Sequence, residues 1–367
     1  MATMSTRTAI REEPIPAPAR RAARVGRSRR ASRGPAIAIV ALLVIGAGLP
    51  TMVEAGAMST LVDAFVLLTM ATMWNLLAGY AGLVSVGQQA FVGLGAYGVL
   101  ILARMGVEPH LALPIATVAC AAAALPISWL LFRLRGGYFA IATWVVADAL
   151  QLTISRFPSI GGGTGAILPG VSGIDPAARL TITYLVAFGV MVLALGGTYA
   201  LLRGRTGLVL TAVRDNEVGA RSVGADVGSA KRIVFLLAAA GCGAAGGLLL
   251  LSQLNVQASA IFSVQWSAKM IFIAVVGGMG SIEGPIVGTI VFFVLQELLA
   301  DFGAWYFIVL GLVAVAVALW TPRGLWGLIA DRTHLRLFPV GYWLWPEPGP
   351  APSAGQTPSP ITGETAS

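Results

Sequence analysis

The stretch TAVRDNEVGARSVGADVGSAKR, Thr211 to Arg232, is a polar island between two long apolar runs, at roughly 181–202 and 233–254. Each run is close to the roughly 20 residues that an α-helix needs to cross a bilayer. Two membrane-length runs joined by a charged connector decide the class of fold, because the chain must cross a membrane more than once. Composition agrees. Of 367 residues, 57% are hydrophobic and 11% charged, against about 25% charged in an average soluble domain. So few charges do not cover the surface of a soluble protein of this length, and lipid has to solvate most of it. The expected class is an all-α polytopic membrane protein.

Outward from the island, further apolar runs lie at roughly 35–53, 58–79, 84–104, 111–132, 138–156, 267–280, 285–300 and 304–321. Together these predict about ten transmembrane helices, an even number that leaves both termini on one side. The runs at 267–280 and 285–300 are short and joined by a glycine-rich turn, as in tilted or broken spans. Basic residues orient the chain. Nine of the 24 fall in the first 34 positions. With a cytoplasmic N-terminus, the inside segments hold Arg133, Arg135, Arg203, Arg205, Arg214, Arg221, Lys231, Arg232, Arg323, Arg332 and Arg336. The outside loops keep only Arg104, Arg156 and Arg179. This is the positive-inside pattern, and it puts both termini in the cytoplasm. The net charge of +8 thus belongs to cytoplasmic loops and not to a nucleic-acid-binding face.

The expected organisation is a disordered Arg-rich cytoplasmic N-terminus (1–34), a membrane domain (35–325) and a mostly disordered cytoplasmic tail (326–367). Within the membrane domain, 203–232 is a cytoplasmic loop, and 157–180, rich in glycine and proline, is an extracytoplasmic loop or short cap. The first apolar run reads as a retained helix: its basic leader is long, and SRRAS (28–32) lacks the apolar flank of a twin-arginine signal. Cys120 and Cys242 lie within apolar runs and read as packing residues.

No enzyme is visible. A P-loop needs Gly-Lys followed by Ser or Thr, and each of the two lysines, Lys231 and Lys269, follows alanine. His110 and His334 are far apart, and no Cys/His cluster of metal-ligand spacing exists. No metal or cofactor is expected in this chain. Three apolar segments carry polar or small residues of interest. In NLLAGYAGLVSVGQQAFVGLGAYGVL (75–100), glycines interrupt the hydrophobic run, and Ser85, Gln88 and Gln89 are candidates to face a pathway or a partner. RGGYFAIATWVVADALQLTISRF (135–157) adds Tyr138, Thr143 and the intramembrane carboxylate Asp148. Such a charge usually faces protein or a wet cavity, and a purely structural contact remains the other reading. Glu297 is also embedded, and Lys269 is expected to snorkel from near a helix end. In VVGGMGSIEGPIVGTIV (275–291), Gly280, Gly284 and Gly288 recur at every fourth position, which favours close helix packing.

The island itself has helical potential. Glu217 precedes Arg221 by four, the favourable order for an ion pair. Leu210, Val213, Ala220 and Val223 form a modest apolar stripe, Gly224 is a helix C-cap candidate, and Asp226 or Ser229 can start the next helix. A short amphipathic helix over 214–224, too polar to span, is expected to dock onto a soluble partner; a solvated connector is the plainer alternative.

Together the four stretches resemble the permease subunits of ABC importers for branched-chain amino acids, of the LivM type, over roughly 61–325. The segments that carry the resemblance are LLAGYAGLVSVGQQAFVGLGAY, GGYFAIAT, GLVLTAVRDNEVGARSVGAD and VVGGMGSIEGP, in that order. The resemblance implies a ten-helix permease in a bacterial plasma (inner) membrane, paired with a second, related permease. Two cytoplasmic ABC ATPases, which carry the ATP and magnesium, would dock on the polar loop. An extracytoplasmic substrate-binding protein would deliver the substrate. Coupling to the ATPases is then expected at Arg214, Asp215, Asn216, Glu217, Arg221, Ser222 and Gly224. Thr211, Trp144, Asp148 and Lys269 depart from the family's usual residues, and relatives carry urea or short amides, so the substrate is left open. A stand-alone secondary transporter using Asp148 and Glu297 and a membrane protein of assembly without a transport path are the competing classes.

Overall fold

The computed structural model describes residues 23–26, 46, 48–51, 54–333 (apart from 135, 172, 174, 223, 300, 301, 303, 304 and 322), 338 and 343–346. Most of the N-terminal segment, most of the expected span at 35–53 and most of the tail lie outside the described residues, as do Arg135, Val223, His334 and Arg336. Two units can be distinguished, 32–340 and a smaller one made of 1–31 with 341–367. The described part of the smaller unit is an antiparallel pair of strands, Ala23–Gly26 with Trp343–Pro346.

The larger unit is helical. Its helices are α1 (Ala55–Asn75), α2 (Gln89–Arg104), α3 (Pro109–Leu131), α4 (Gly137–Ser155), α5 (Pro176–Arg203), α6 (Arg205–Asp215), α7 (Glu217–Ser222) and α8 (Val227–Gln253). After them come α9 (Ala258–Ile261), α10 (Val264–Gly277), α11 (Glu283–Leu298), α12 (Trp305–Trp320) and α13 (Gly324–Thr333). Local chemistry sets several starts. Glu108 and Asp175 accept hydrogen bonds from the Leu111 and Ala178 amides, each followed by a proline in the first turn. Asp226 and Ser263 cap α8 and α10 through the Ser229 and Gln265 amides. Among the described residues, six helices are long and apolar enough to cross a membrane: α1 with its extension to Tyr80, α3, α4, α5, α8 and the α9–α10 pair. The protein is a polytopic all-α membrane protein.

Helix α8 is the centre of the bundle, packed against α1, α2 and α3. The approach of α2 is glycine-dependent: a Cβ on Gly95 would collide with the Gly243 carbonyl, and one on Gly246 with the Val92 carbonyl. Without a strong hydrophobic drive between helices in lipid, such close backbone contact is the main source of adhesion. The loop after α4 is tied down by a two-residue ladder, Ala166–Ile167 with Asn255–Val256, which fastens it to the end of α8.

The structure corrects two sequence expectations. The run at 84–104 becomes helical only at Gln89, because Gly82 is left-handed (φ 66°) and residues 82–88 have no regular helix. Side chains replace the missing helical bonds: Thr143 Oγ1 accepts from the Val86 amide at 3.1 Å, and the Trp74 indole donates to the Ser85 carbonyl at 2.7 Å. Buried backbone outside regular helix needs such partners for its polar groups. The second correction concerns the island, where two helices, α6 and α7, replace the single helix expected over 214–224. Asn216 between them is extended (φ −160°, ψ 103°), and its side chain accepts from the Gly219 amide at 2.9 Å. A residue type that favours N-caps ends one helix and starts the next.

Candidate functional site

The polar loop is built on a small apolar core of its own. Leu210, Val213 and Ala220 are buried, and Val213 and Ala220 pack with Val227 at the start of α8. Glu217 fastens α7 from both sides. Its Oε1 accepts from Arg221 Nη2 at 2.7 Å and its Oε2 from Lys231 Nζ at 2.8 Å. The Lys231 ammonium, and Arg221 beside it, hold the Glu217 carboxyl below its ordinary value of 4.5, against the opposing effect of partial burial. Gly224, left-handed at φ 83°, follows the end of α7, and Asp226 opens α8. Asn216, Val218, Arg221, Ser222 and Gly224 are exposed, and so is Arg214, which is directed toward the membrane helices. Asp215 lies in the last turn of α6, with its side chain outside the described residues.

The loop's inner side meets the ends of three helices. At the end of α1, Leu76–Tyr80 widens into a π-turn, a feature that often marks functional positions. There Asn75, 1% exposed, clamps the turn between α10 and α11. Its Nδ2 donates to the Ser281 carbonyl at 2.8 Å, and its Oδ1 accepts from the Gly280 amide at 2.9 Å. Gly280 is left-handed (φ 76°), and a Cβ there would sit 3.1 Å from Arg214 Nη1 and 3.2 Å from the Gly79 carbonyl. Arg214, at the end of α6, thus reaches the clamp directly. Ser281 Oγ accepts from the Gly284 amide in the first turn of α11 at 3.0 Å. Buried Glu283 in the first turn of α11 accepts from the Phe338 amide at 2.8 Å.

The remaining sequence candidates fall into groups. Gly284 and Gly288 lie on α11, where a Cβ would collide with the Gly278 or Ile273 carbonyl, while Gly280 belongs to the turn before that helix. Ser85, Gln88, Gln89 and Thr143 are all buried at the α2 start. Ser85 Oγ accepts from the Gln88 amide group and the Gly87 amide, each at 3.3 Å, and Gln89 Oε1 accepts from the Ser267 hydroxyl on α10. Gln88 Oε1 and Gln89 Nε2 have no hydrogen-bond partner among the described residues. Tyr138 and Asp148 are elsewhere, on the outer face of α4, of which only Phe139, Thr143 and Ala147 are buried. Sequence reasoning passed over Asn75, Ser281 and Glu283. The available signal was a polar side chain inside an apolar run, four residues before Gly79.

The chain is similar to known proteins over most of its length. A family model described as "Branched-chain amino acid transport system / permease component" matches residues 56–318. The "High-affinity branched-chain amino acid transport system permease protein LivM" of Escherichia coli (strain K12) is 30% identical, over 82% of this chain and 76% of that protein. The protein of the same description from Salmonella typhimurium is also 30% identical, with the same coverage. No solved structure matches the chain.

Proposed function

Because the chain belongs to the family of permease components of branched-chain amino-acid transport systems, we propose that it is the membrane subunit of an ATP-driven importer for branched-chain or related hydrophobic amino acids. It works without an ATPase motif of its own. Two cytoplasmic ABC ATPases, holding ATP and magnesium, dock on the outer face of α6 and α7. A second, related permease completes the translocation path, and an extracytoplasmic binding protein delivers substrate at the opposite end. The protein then sits in a bacterial inner membrane with about ten spans and cytoplasmic termini, the topology that its basic loops favour.

One observation carries this reading: the link from Arg214 on α6 to the Asn75–Gly280 clamp. The clamp joins the ends of α1, α10 and α11, and the glycine contact of α10 with α11 makes the latter two a stiff pair. A displacement of α6 by a closing ATPase would therefore reach membrane helices through a side chain already in contact with them. Packed elements transmit such shifts because they have discrete arrangements and do not deform continuously. The outer face of the loop is polar with an apolar point at Val218, 78% exposed, a composition fitted to a soluble partner.

The test is charge reversal in the loop. Asp215→Lys with Glu217→Lys is expected to lower uptake about tenfold or more, or ~1.4 kcal/mol of coupling, while insertion into the membrane stays intact. Normal uptake in a properly inserted double variant would overturn the coupling role. Uptake that survives ATP depletion and collapses with the proton or sodium gradient would instead favour a secondary transporter.

A further inference from the structure

A second polar cluster lies at the other end of the bundle. Asp63 on α1 and Lys269 on α10 line a cavity of about 160 Å³ together with Gln253, Gln296, Leu67 and Phe293. Its position is fixed by the helices that contribute. Asp63 is in the N-terminal half of α1 and Lys269 in that of α10, whereas Gln253 ends α8 and Gln296 is near the end of α11. The Arg214–Gly280 contact is at the opposite ends of α1, α10 and α11. If ATPases dock at the loop, this cavity opens toward the side from which substrate arrives.

The charges in it are unusual. Both are half-buried in segments where an ionised side chain is costly and normally paired. Yet among the described residues they form no direct ion pair, and the Lys269 ammonium instead sits 4.7 Å over the Trp266 ring. A carboxylate and an ammonium thus border one small cavity without closing on one another. An occupant that satisfies both carries one charge of each sign, and the small volume calls for the two charges to be close together. A site of this size is well below the roughly 300–1,000 Å³ of drug-sized pockets and is on the scale of one free amino acid. Gln253 and Gln296 supply further polar contacts, and Leu67 and Phe293 an apolar wall for an aliphatic side chain. Urea and simple amides carry no charge and would leave both protein charges uncompensated.

We propose that this cavity is an entry site for a zwitterionic α-amino acid with an aliphatic side chain, its ammonium toward Asp63 and its carboxylate toward Lys269. The inference rests on the importer reading above and deepens it, since it places selectivity in the permease as well as in the binding protein.

The chain offers an internal control, because Lys231 and Lys269 are its two lysines. Membrane vesicles carrying the whole importer are treated with an amine-acylating reagent, and modification at each lysine is read by mass spectrometry. The ratio of Lys269 to Lys231 corrects for reagent consumed by free amino acid. Saturating L-leucine is expected to lower that ratio about fivefold; isopentylamine, 4-methylpentanoate and urea, which each lack at least one charge, should leave it unchanged. Asp63→Asn should abolish the protection, and Asp63→Asn with Lys269→Gln should cut leucine uptake about tenfold. An unchanged ratio in vesicles that do take up leucine overturns the proposal, as does full uptake by the double variant. Wild-type vesicles that take up no leucine or related amino acid would instead overturn the importer reading itself.

Discussion

At the scale of single residues, the informative side chain is Asn75. It is an amide inside an apolar run, buried almost completely, and it spends both of its polar atoms on the backbone of one turn. Removing it leaves the Gly280 amide and the Ser281 carbonyl without that partner, at a cost of about 1–3 kcal/mol for an unsatisfied buried group. Gly280→Ala acts on the same turn by another route, since a left-handed residue with a Cβ costs roughly 1–2 kcal/mol and the added carbon meets Arg214 and the Gly79 carbonyl. Both changes should lower the thermal midpoint of the detergent-solubilised protein. Because both remove the same clamp, which can be lost only once, the double variant should be less destabilised than the sum of the two, a departure from additivity expected of sites in contact. Strict additivity in that cycle would mean that Asn75 and Gly280 do not act as one unit. Arg214 extends the same logic outward, and its contact with Gly280 was not legible in the sequence. Those residues are far apart in the chain, and no local pattern pairs them.

At the scale of elements, much of the fold was legible because lipid imposes a simple rule. Apolar runs of membrane length had to become helices, and α3 and α4 begin and end within two residues of the runs that announced them, whereas α5 and α8 begin five and six residues earlier. Breaks were harder to see. Leu210, Val213 and Ala220 fit one continuous helical stripe, and only the tertiary fold reveals that Asn216 divides it. The irregular stretch at 82–88 likewise depends on Thr143, a residue from another helix, to satisfy its backbone. The Glu217–Arg221 pair, in contrast, was visible from its spacing, but the second tie of Glu217, to Lys231, spans fourteen positions and was not. That tie has a pH signature. A carboxyl held below 4.5 in the folded loop contributes stability that is fully present above that value and is lost as pH falls through the folded-state value. Hydrogen exchange in α7, corrected for its intrinsic rate, should lose protection as the pH is lowered below about 4.5. Glu217→Gln should show weak protection at neutral pH and no further loss on acidification. Protection independent of pH in the wild type would mean that Val213, Ala220 and Val227 hold α7 without help from the ion pairs.

At the scale of the whole molecule, α4 is the helix that the chain by itself leaves incomplete. Only Phe139, Thr143 and Ala147 are buried, whereas Tyr138, Ile141, Val145, Asp148 and Leu152 recur at three and four along an exposed face. If that face met lipid, Asp148 would cost about 2.5–3.5 kcal/mol near the bilayer centre. A protein or aqueous neighbour removes most of that cost, and the second permease is the neighbour that the proposed assembly supplies. The exposed face of α5 differs, since Leu193, 74% exposed, borders an apolar groove with Val186, Val190 and Leu237, a surface that lipid tails fill without penalty. The two faces therefore make opposite predictions. In the assembled transporter, Asp148→Cys labelled with a maleimide that carries a photoreactive benzophenone should cross-link to the partner permease on illumination, and Leu193→Cys labelled in the same way should not. Asp148→Leu should weaken the permease pair, because it removes the polar contact that the interface is built to receive, while Asp148→Asn should keep most of it. If cross-links form from position 193 and not from 148, the partner lies against α5, and the carboxylate of α4 must face water within the path of this subunit alone.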